Sequence, residues 1–474
     1  MTSEAPSDGR PLHRVLSTWD LVLLNTAAIV GLRWLAFAAK IGPSGLALWV
    51  LGALMFFVPL ALCVLELSSR MPGEGGFYLW TKAAFGDIHG FIAGWSYWTA
   101  NLVFFPSALL FVAGISLYVG GERWLGWADN ALYNAVYCLI ALWGATALNI
   151  LGLQRAKWLQ NIGGLATWMA TALLLIGAGV AWYRFGPAIP MTAASMTPDL
   201  GSMAALTTLA TIALAFDGIE LGPVLGGEIK NPKKQIPRAI LISVVLIVAI
   251  YMAGTTALLI ALPPGQIDLI GGIAQALSGL GQRLGIPAFG PLVSGLVALG
   301  GLGGVGAWIT GTARLPFVVG VDRYLPKSMA TMHPEYGTPY IALLTQATLT
   351  TLVLLAAISG ASVHEAFVQL IDMTLILTFV PLMYLFAALP VMRRRAAGNN
   401  AGISLVPGGI VGCWIVSAVG FAATVLAIVT SLVPPDGASR GLFLAKVGGG
   451  CVLFIAVGLV FYVRGKRAQV AQVA

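Results

Sequence analysis

A guanidinium and two carboxylates interrupt two otherwise apolar runs of this chain. The first interruption is Val30-Gly31-Leu32-Arg33-Trp34, and the second is Phe216-Asp217-Gly218-Ile219-Glu220. A helix that stops in apolar surroundings leaves bare amide N–H groups at the start of one half and bare carbonyls at the end of the other. The amides attract anions and the carbonyls attract cations. A zwitterionic amino acid has one group for each. Its carboxylate suits the N–H groups after Gly31 and its amine the carbonyls near Phe216, with glycine keeping a Cβ out of the approach. Arg33 adds a cation for a substrate carboxylate, and Asp217 an anion for a substrate amine. The same two side chains can instead pair across the breaks and fix the fold, or do both in turn as a gate. Glu220 opens the second half-helix, where it caps exposed N–H groups or carries a coupled proton.

Composition sets the elements that must hold these residues. Of 474 residues, 58% are hydrophobic and 9% charged, against roughly a quarter charged in a soluble protein. Apolar runs of about 20 residues, enough to cross a hydrocarbon core of about 30 Å, lie at roughly 17–40, 44–69, 88–119, 130–151, 157–182, 201–228, 238–262, 287–312, 338–358, 364–392, 405–432 and 442–463. The fold class is therefore all-α and polytopic, with about twelve transmembrane helices in the lipid bilayer. The net charge of +8 follows loop topology and does not point to nucleic acid. Nineteen basic residues fall in one set of loops and six in the other, and Arg33 is the remaining one of 26. The positive-inside rule then puts both termini in the cytoplasm and the chain in the cell membrane.

The breaks fall in spans one and six. Five spans separate them, an odd number, so a five-helix repeat places its second copy upside down. The expectation is an inverted repeat over about 17–182 and 201–392, extra helices over about 405–463, a transporter domain over 17–463, and tails at 1–16 and 464–474. Paired breaks in two halves point to a substrate site near the bilayer midplane. Met71-Pro72-Gly73-Glu74-Gly75-Gly76 followed by Phe77-Tyr78-Leu79-Trp80-Thr81-Lys82 reads as a turn and a short interfacial helix. No cleavable signal peptide is expected, and Cys63, Cys138, Cys413 and Cys451 read as small buried side chains.

Further candidates surround this site. Glu66 and Glu228 lie near the cytoplasmic ends of their spans, where each holds a gate closed through Arg or Lys or forms an ordinary helix-end salt bridge. Thr310 and Thr312 offer hydroxyls to a sodium ion or to their own backbone. Trp34, Trp95, Trp98 and Phe216 are candidate lids. Asp372 is an intramembrane carboxylate without an assigned partner. There is no nucleotide-binding P-loop, no metal-ligand spacing and no Ser/His/Asp arrangement, which argues against an enzyme, an ATP-driven pump, a bound metal or a cofactor. A co-transported proton or sodium ion is the one small accessory species the reading allows.

These residues together resemble the amino acid–polyamine–organocation permeases, which have the LeuT-type five-plus-five fold. The resemblance rests on Val30-Gly31-Leu32, on Met71 to Gly76 with Tyr78 and Trp80, and on Phe216 to Glu220 running into Gly227-Glu228-Ile229-Lys230-Asn231-Pro232-Lys233-Lys234 and Pro237-Arg238. It extends to Thr312-Ala313-Arg314 and to Asp322-Arg323-Tyr324-Leu325-Pro326 with Thr338-Pro339. It implies substrate binding at both breaks. Two departures stand out. The family's first break usually reads Gly-x-Gly-Ile-Phe, and Arg33 occupies the second small position. A lysine often found in span five, tied to proton coupling, aligns with Thr167. The leading functional expectation is a secondary active transporter of amino acids, as symporter or exchanger. A polyamine or organic amine permease is the alternative, and a membrane sensor that binds amino acids without appreciable flux is a second one. The partner in each case is a small molecule.

Overall fold

The computed structural model describes residues 17–71, 76–220, 232–313, 324–359, 362–396, 405–434 and 439–473. All regular structure among them is helical. The first apolar stretch is α1 (Thr18–Ile29) and α2 (Arg33–Lys40), parted at Val30-Gly31-Leu32. Next come α3 (Ser44–Gly52) and α4 (Val58–Arg70), joined by a π-turn at Ala53–Phe57. The π-turn has a local cause, since Pro59 has no N–H to give the carbonyl four residues back. After the short α5 (Gly76–Phe85) stand three long helices: α6 (Asp87–Leu117), α7 (Ala131–Ile150) and α8 (Leu153–Phe185).

The order then repeats. A helix that stops at a break, α9 (Met203–Ala215), is followed by a long helix, α10 (Pro232–Ala261), and a short one, α11 (Gly272–Leu284). Three long helices complete it: α12 (Phe289–Thr312), α13 (Tyr340–Ile358) and α14 (Val363–Ala396). The last two are α15 (Gly409–Thr430) and α16 (Arg440–Val473). Ten helices among the described residues are long and apolar enough to cross a membrane. They coincide with the ten unbroken spans of the sequence reading, and the other two spans are the broken ones. The short helix expected after Met71 is α5. Its counterpart α11 was not anticipated, and α16 runs on through most of the segment read as a C-terminal tail.

Helices pack tightly where glycine faces glycine. Where α8 crosses α12, a Cβ on Gly163 would lie 2.5 Å from the Cα of Gly303, and the reverse holds for Gly303. Only hydrogen fits between them, as in closely packed membrane helices. One wall of the central cavity is built on this crossing. Arg70, Lys82, Arg393 and Arg395 gather at one end of the bundle, where Arg395 Nη1 donates to the Ala83 carbonyl. At the other end, Arg283 donates to the carbonyls of Ile260 at 2.7 Å and Gly186 at 3.0 Å.

Candidate functional site

One hydroxyl joins the two breaks. Tyr251, in the middle of α10, accepts a hydrogen bond from the Gly31 N–H at 3.2 Å. Its proton is shared between the Ile29 carbonyl at 2.6 Å and the Ala215 carbonyl at 2.9 Å. Three backbone groups freed by the breaks are thus satisfied by one side chain, as apolar surroundings require. The ring is held flat against Trp49, with centroids 4.2 Å apart and planes at 7°. Trp49 is fixed in turn by its indole N–H, which donates to Thr255 Oγ1 at 2.8 Å, one turn along α10 from Tyr251.

In front of this clasp lies a cavity of about 200 Å³. Val30, Gly31, Leu32, Arg33, Trp34 and Asp217 line it, with residues of α1, α6, α8, α12 and α14. The Arg33 guanidinium carbon sits 4.3 Å from the Trp34 ring centroid and 4.5 Å from that of Phe104. Ring faces attract the cation without accepting its N–H bonds: Nε is buried without a hydrogen-bond partner. Asp217 Oδ1 is likewise buried and unpartnered. Among the described residues no ion pair joins the two. With the Gly31 N–H taken by Tyr251, the free amides at the start of α2 are those of Leu32 and Arg33.

The other candidates fall in different places. Gly218 has φ +120°, a region that other residues rarely adopt, and its N–H donates to Glu220 Oε2 at 3.1 Å. Glu220 Oε1 accepts from the Tyr97 hydroxyl at 3.0 Å, so Glu220 caps the backbone and ties α6 to the second break. The Phe216 side chain is fully buried behind the break, stacked on Phe57 at 4.6 Å and edge-on to Trp49 and Tyr251. Trp95 and Trp98 point elsewhere, donating to the Phe454 carbonyl and to Gln346 Oε1. Trp34 alone of the proposed lids lines the cavity. Thr310 and Thr312 donate to the carbonyls of Gly306 and Trp308, one turn back. Thr310 also meets Asn149 and Gln160, and Thr312 meets Gln346. Glu228 lies outside the described residues, as do Pro72 to Gly75 and the whole stretch from Gly227 to Asn231.

Glu66 organises the basic end. It is fully buried, and its carboxylate accepts from Arg70 Nε at 3.0 Å, Arg393 Nε at 2.9 Å and Nη2 at 2.6 Å, and the Leu405 and Val406 amides at 3.1 and 3.0 Å. Arg393 also donates to the carbonyls of Val406 and Gly409. This cluster fastens α4 to α14 and to the segment entering α15.

Several contributors escaped the sequence reading. Tyr97, Ala100, Asn101, Phe104 and Ala108 form one face of α6 toward the cavity, and Gln160, Gly164 and Thr171 one face of α8, on which Thr167, the position aligned with the family's lysine, also lies. The helical spacing was readable, but both helices are apolar all round, which hides an inward face. Tyr251 gave no local signal, since one tyrosine in an apolar span most often packs.

A family model described as amino acid permease matches residues 16–461. An uncharacterized transporter from Legionella pneumophila is 28% identical over 94% of this chain and 96% of its own length. A glutamate/gamma-aminobutyrate antiporter from Lactococcus lactis is 25% identical over 82% of this chain and 78% of its own. A probable agmatine/putrescine antiporter from Lactococcus lactis is 25% identical over 92% and 91%.

Proposed function

We propose that this chain, which belongs to the amino acid permease family and is a multi-pass membrane transporter, carries amino acids across the cell membrane by alternating access, with both termini in the cytoplasm. One observation carries this reading. A single cavity holds a buried carboxylate oxygen on Asp217 and a buried guanidinium nitrogen on Arg33, and neither has a partner. Charged groups at membrane depth are costly and normally paired. A ligand with an amine and a carboxylate satisfies both ends. Its amine meets Asp217, and its carboxylate meets the Leu32 and Arg33 amides beside the guanidinium. A cavity of about 200 Å³ is below the usual range for drug-sized ligands and suits a molecule of amino-acid size. Exchange is the mode we favour, because relatives named as antiporters match most of the chain.

A pure amine is the second reading. Asp217 and the relative named as an agmatine/putrescine antiporter support it, and Arg33 opposes it by repelling a second cation. The test is a melting screen of purified protein with the amino acids and with their decarboxylated amines, because a ligand of the folded state raises the melting temperature. Exchange is then measured in proteoliposomes. Stabilisation by amino acids with counterflow is expected. Stabilisation by amines alone moves the assignment to the second reading, and binding without flux makes the protein a sensor.

A further inference from the structure

The cavity offers more positive charge than one carboxylate needs. The amides of Leu32 and Arg33 at the start of α2 can hold an α-carboxylate by themselves, in the conformation that Tyr251 fixes through Gly31. The Arg33 guanidinium is a separate locus. Its guanidinium carbon lies over the rings of both Trp34 of α2 and Phe104 of α6, and Phe104 rests on Trp308 of α12 with centroids 5.7 Å apart. This leaves Nε and the rest of the N–H edge without a bond to any described group, and a guanidinium edge is shaped for a carboxylate. No described acceptor takes it: neither the Asp217 carboxylate nor the side-chain oxygens of Asn101 and Gln160, which share the cavity, are hydrogen-bonded to the guanidinium. The Glu220 carboxylate is turned to the Tyr97 hydroxyl and the Gly218 N–H.

We infer that the preferred substrate is an amino acid with a carboxylate side chain, and that Arg33 is the residue that selects it. This rests on the amino-acid reading above. Asp217 takes the amine, the α2 amides take the α-carboxylate, and Arg33 takes the side-chain carboxylate. Such a ligand has two negative groups and one positive, the complement of the three unpartnered loci. A neutral amino acid leaves Arg33 unpaired, and a basic one brings a cation against it.

The experiment measures binding of glutamate, glutamine, aspartate, asparagine and leucine to the purified full chain, by calorimetry or by displacement of radiolabelled glutamate. Glutamine has nearly the shape of glutamate without the charge, so the ratio of the two isolates the Arg33 contact. The wild-type protein is expected to favour glutamate over glutamine by about tenfold to hundredfold, the range for a charge-assisted hydrogen bond. Arg33→Gln is expected to bring that ratio near one while glutamine still binds. Arg33→Lys is expected to keep the preference in weaker form. Retained glutamine binding shows that Arg33→Gln protein is folded, and its melting temperature without ligand checks this independently. Equal affinity of the wild type for glutamate, glutamine and leucine overturns this inference and leaves the amino-acid reading standing. An unchanged ratio in Arg33→Gln overturns the role of Arg33. Failure of every amino acid to bind overturns both readings.

Discussion

Two clusters of charge lie within the apolar helices, and they are opposites. At the basic end, Glu66 accepts from two arginines and two backbone amides, and Arg393 spends its remaining donors on carbonyls. At the breaks, Arg33 and Asp217 share a cavity, and Arg33 Nε and Asp217 Oδ1 have no hydrogen-bond partner among the described residues. In the first arrangement both Glu66 oxygens and all three Arg393 side-chain nitrogens have partners among the described residues. The second is held open: Arg33 is pinned by rings that cannot neutralise it, and Tyr251 consumes the backbone groups that would otherwise attract Asp217 or Arg33. On the proposed reading, charge in this apolar interior serves binding where its partners are withheld and fastening where they are supplied.

The contrast fails most visibly, if it fails, at Glu66. Glu66→Ala leaves Arg393 buried without its counter-charge, a loss of about 3–5 kcal/mol. The expected result is a fall in melting temperature large enough to deplete the monodisperse peak on heating in detergent. A variant that melts like wild type would mean that the cluster fastens nothing. Asp217→Asn should do the reverse. Removing an unpaired charge relieves a cost, so the melting temperature should hold or rise. Affinity for an amino acid should drop about tenfold to hundredfold through loss of a charged hydrogen bond to the amine. Wild-type binding by Asp217→Asn protein would remove Asp217 from the site.

The sequence made one side of this contrast more legible than the other. Arg33, Asp217 and the glycines beside them stood out because charge and broken periodicity are local signals. The ten unbroken spans were legible for the same reason, as apolar length alone defines them. Arg393 carries no such signal, because its partner Glu66 is 327 positions away and no local pattern links them. Phe216 was read as a lid because it adjoins the break. The structure turns its ring into a cluster with Trp49, Phe57 and Tyr251, since a ring buried among rings gains more than one facing a polar cavity. Whether Arg33 and Asp217 paired or stood apart was a question of distance across two repeats, which spacing along the chain does not encode.

Tyr251→Phe tests whether the breaks are held open by the clasp. The ring and its stacking on Trp49 remain, and only the hydroxyl shared by Ile29, Gly31 and Ala215 is lost. Leaving such backbone groups unsatisfied costs about 1–3 kcal/mol. The expectation is an affinity loss smaller than that of Asp217→Asn, together with a modest fall in melting temperature. A change in melting temperature alone would make Tyr251 a packing residue that does not shape the site.

The smallest effect is expected at Thr312, where the comparison is sharpened by ion dependence. Its hydroxyl already donates to the Trp308 carbonyl at 2.8 Å and meets Gln346 Oε1 at 3.4 Å, and Gln346 is also served by the Trp98 indole at 3.2 Å. Thr312 is therefore saturated in the manner of Glu66, and it does not line the cavity. Thr312→Val keeps the shape and removes one of several bonds, a loss of about 0.6 kcal/mol by the average for polar contacts between membrane helices. Ligand affinity should match wild type in sodium and in choline buffers alike. A sodium-dependent affinity in wild type that vanishes in Thr312→Val would show that this hydroxyl leaves its backbone partner to coordinate an ion. Saturation in one conformation would then not exclude a role in another, and the same would have to be asked of Glu66.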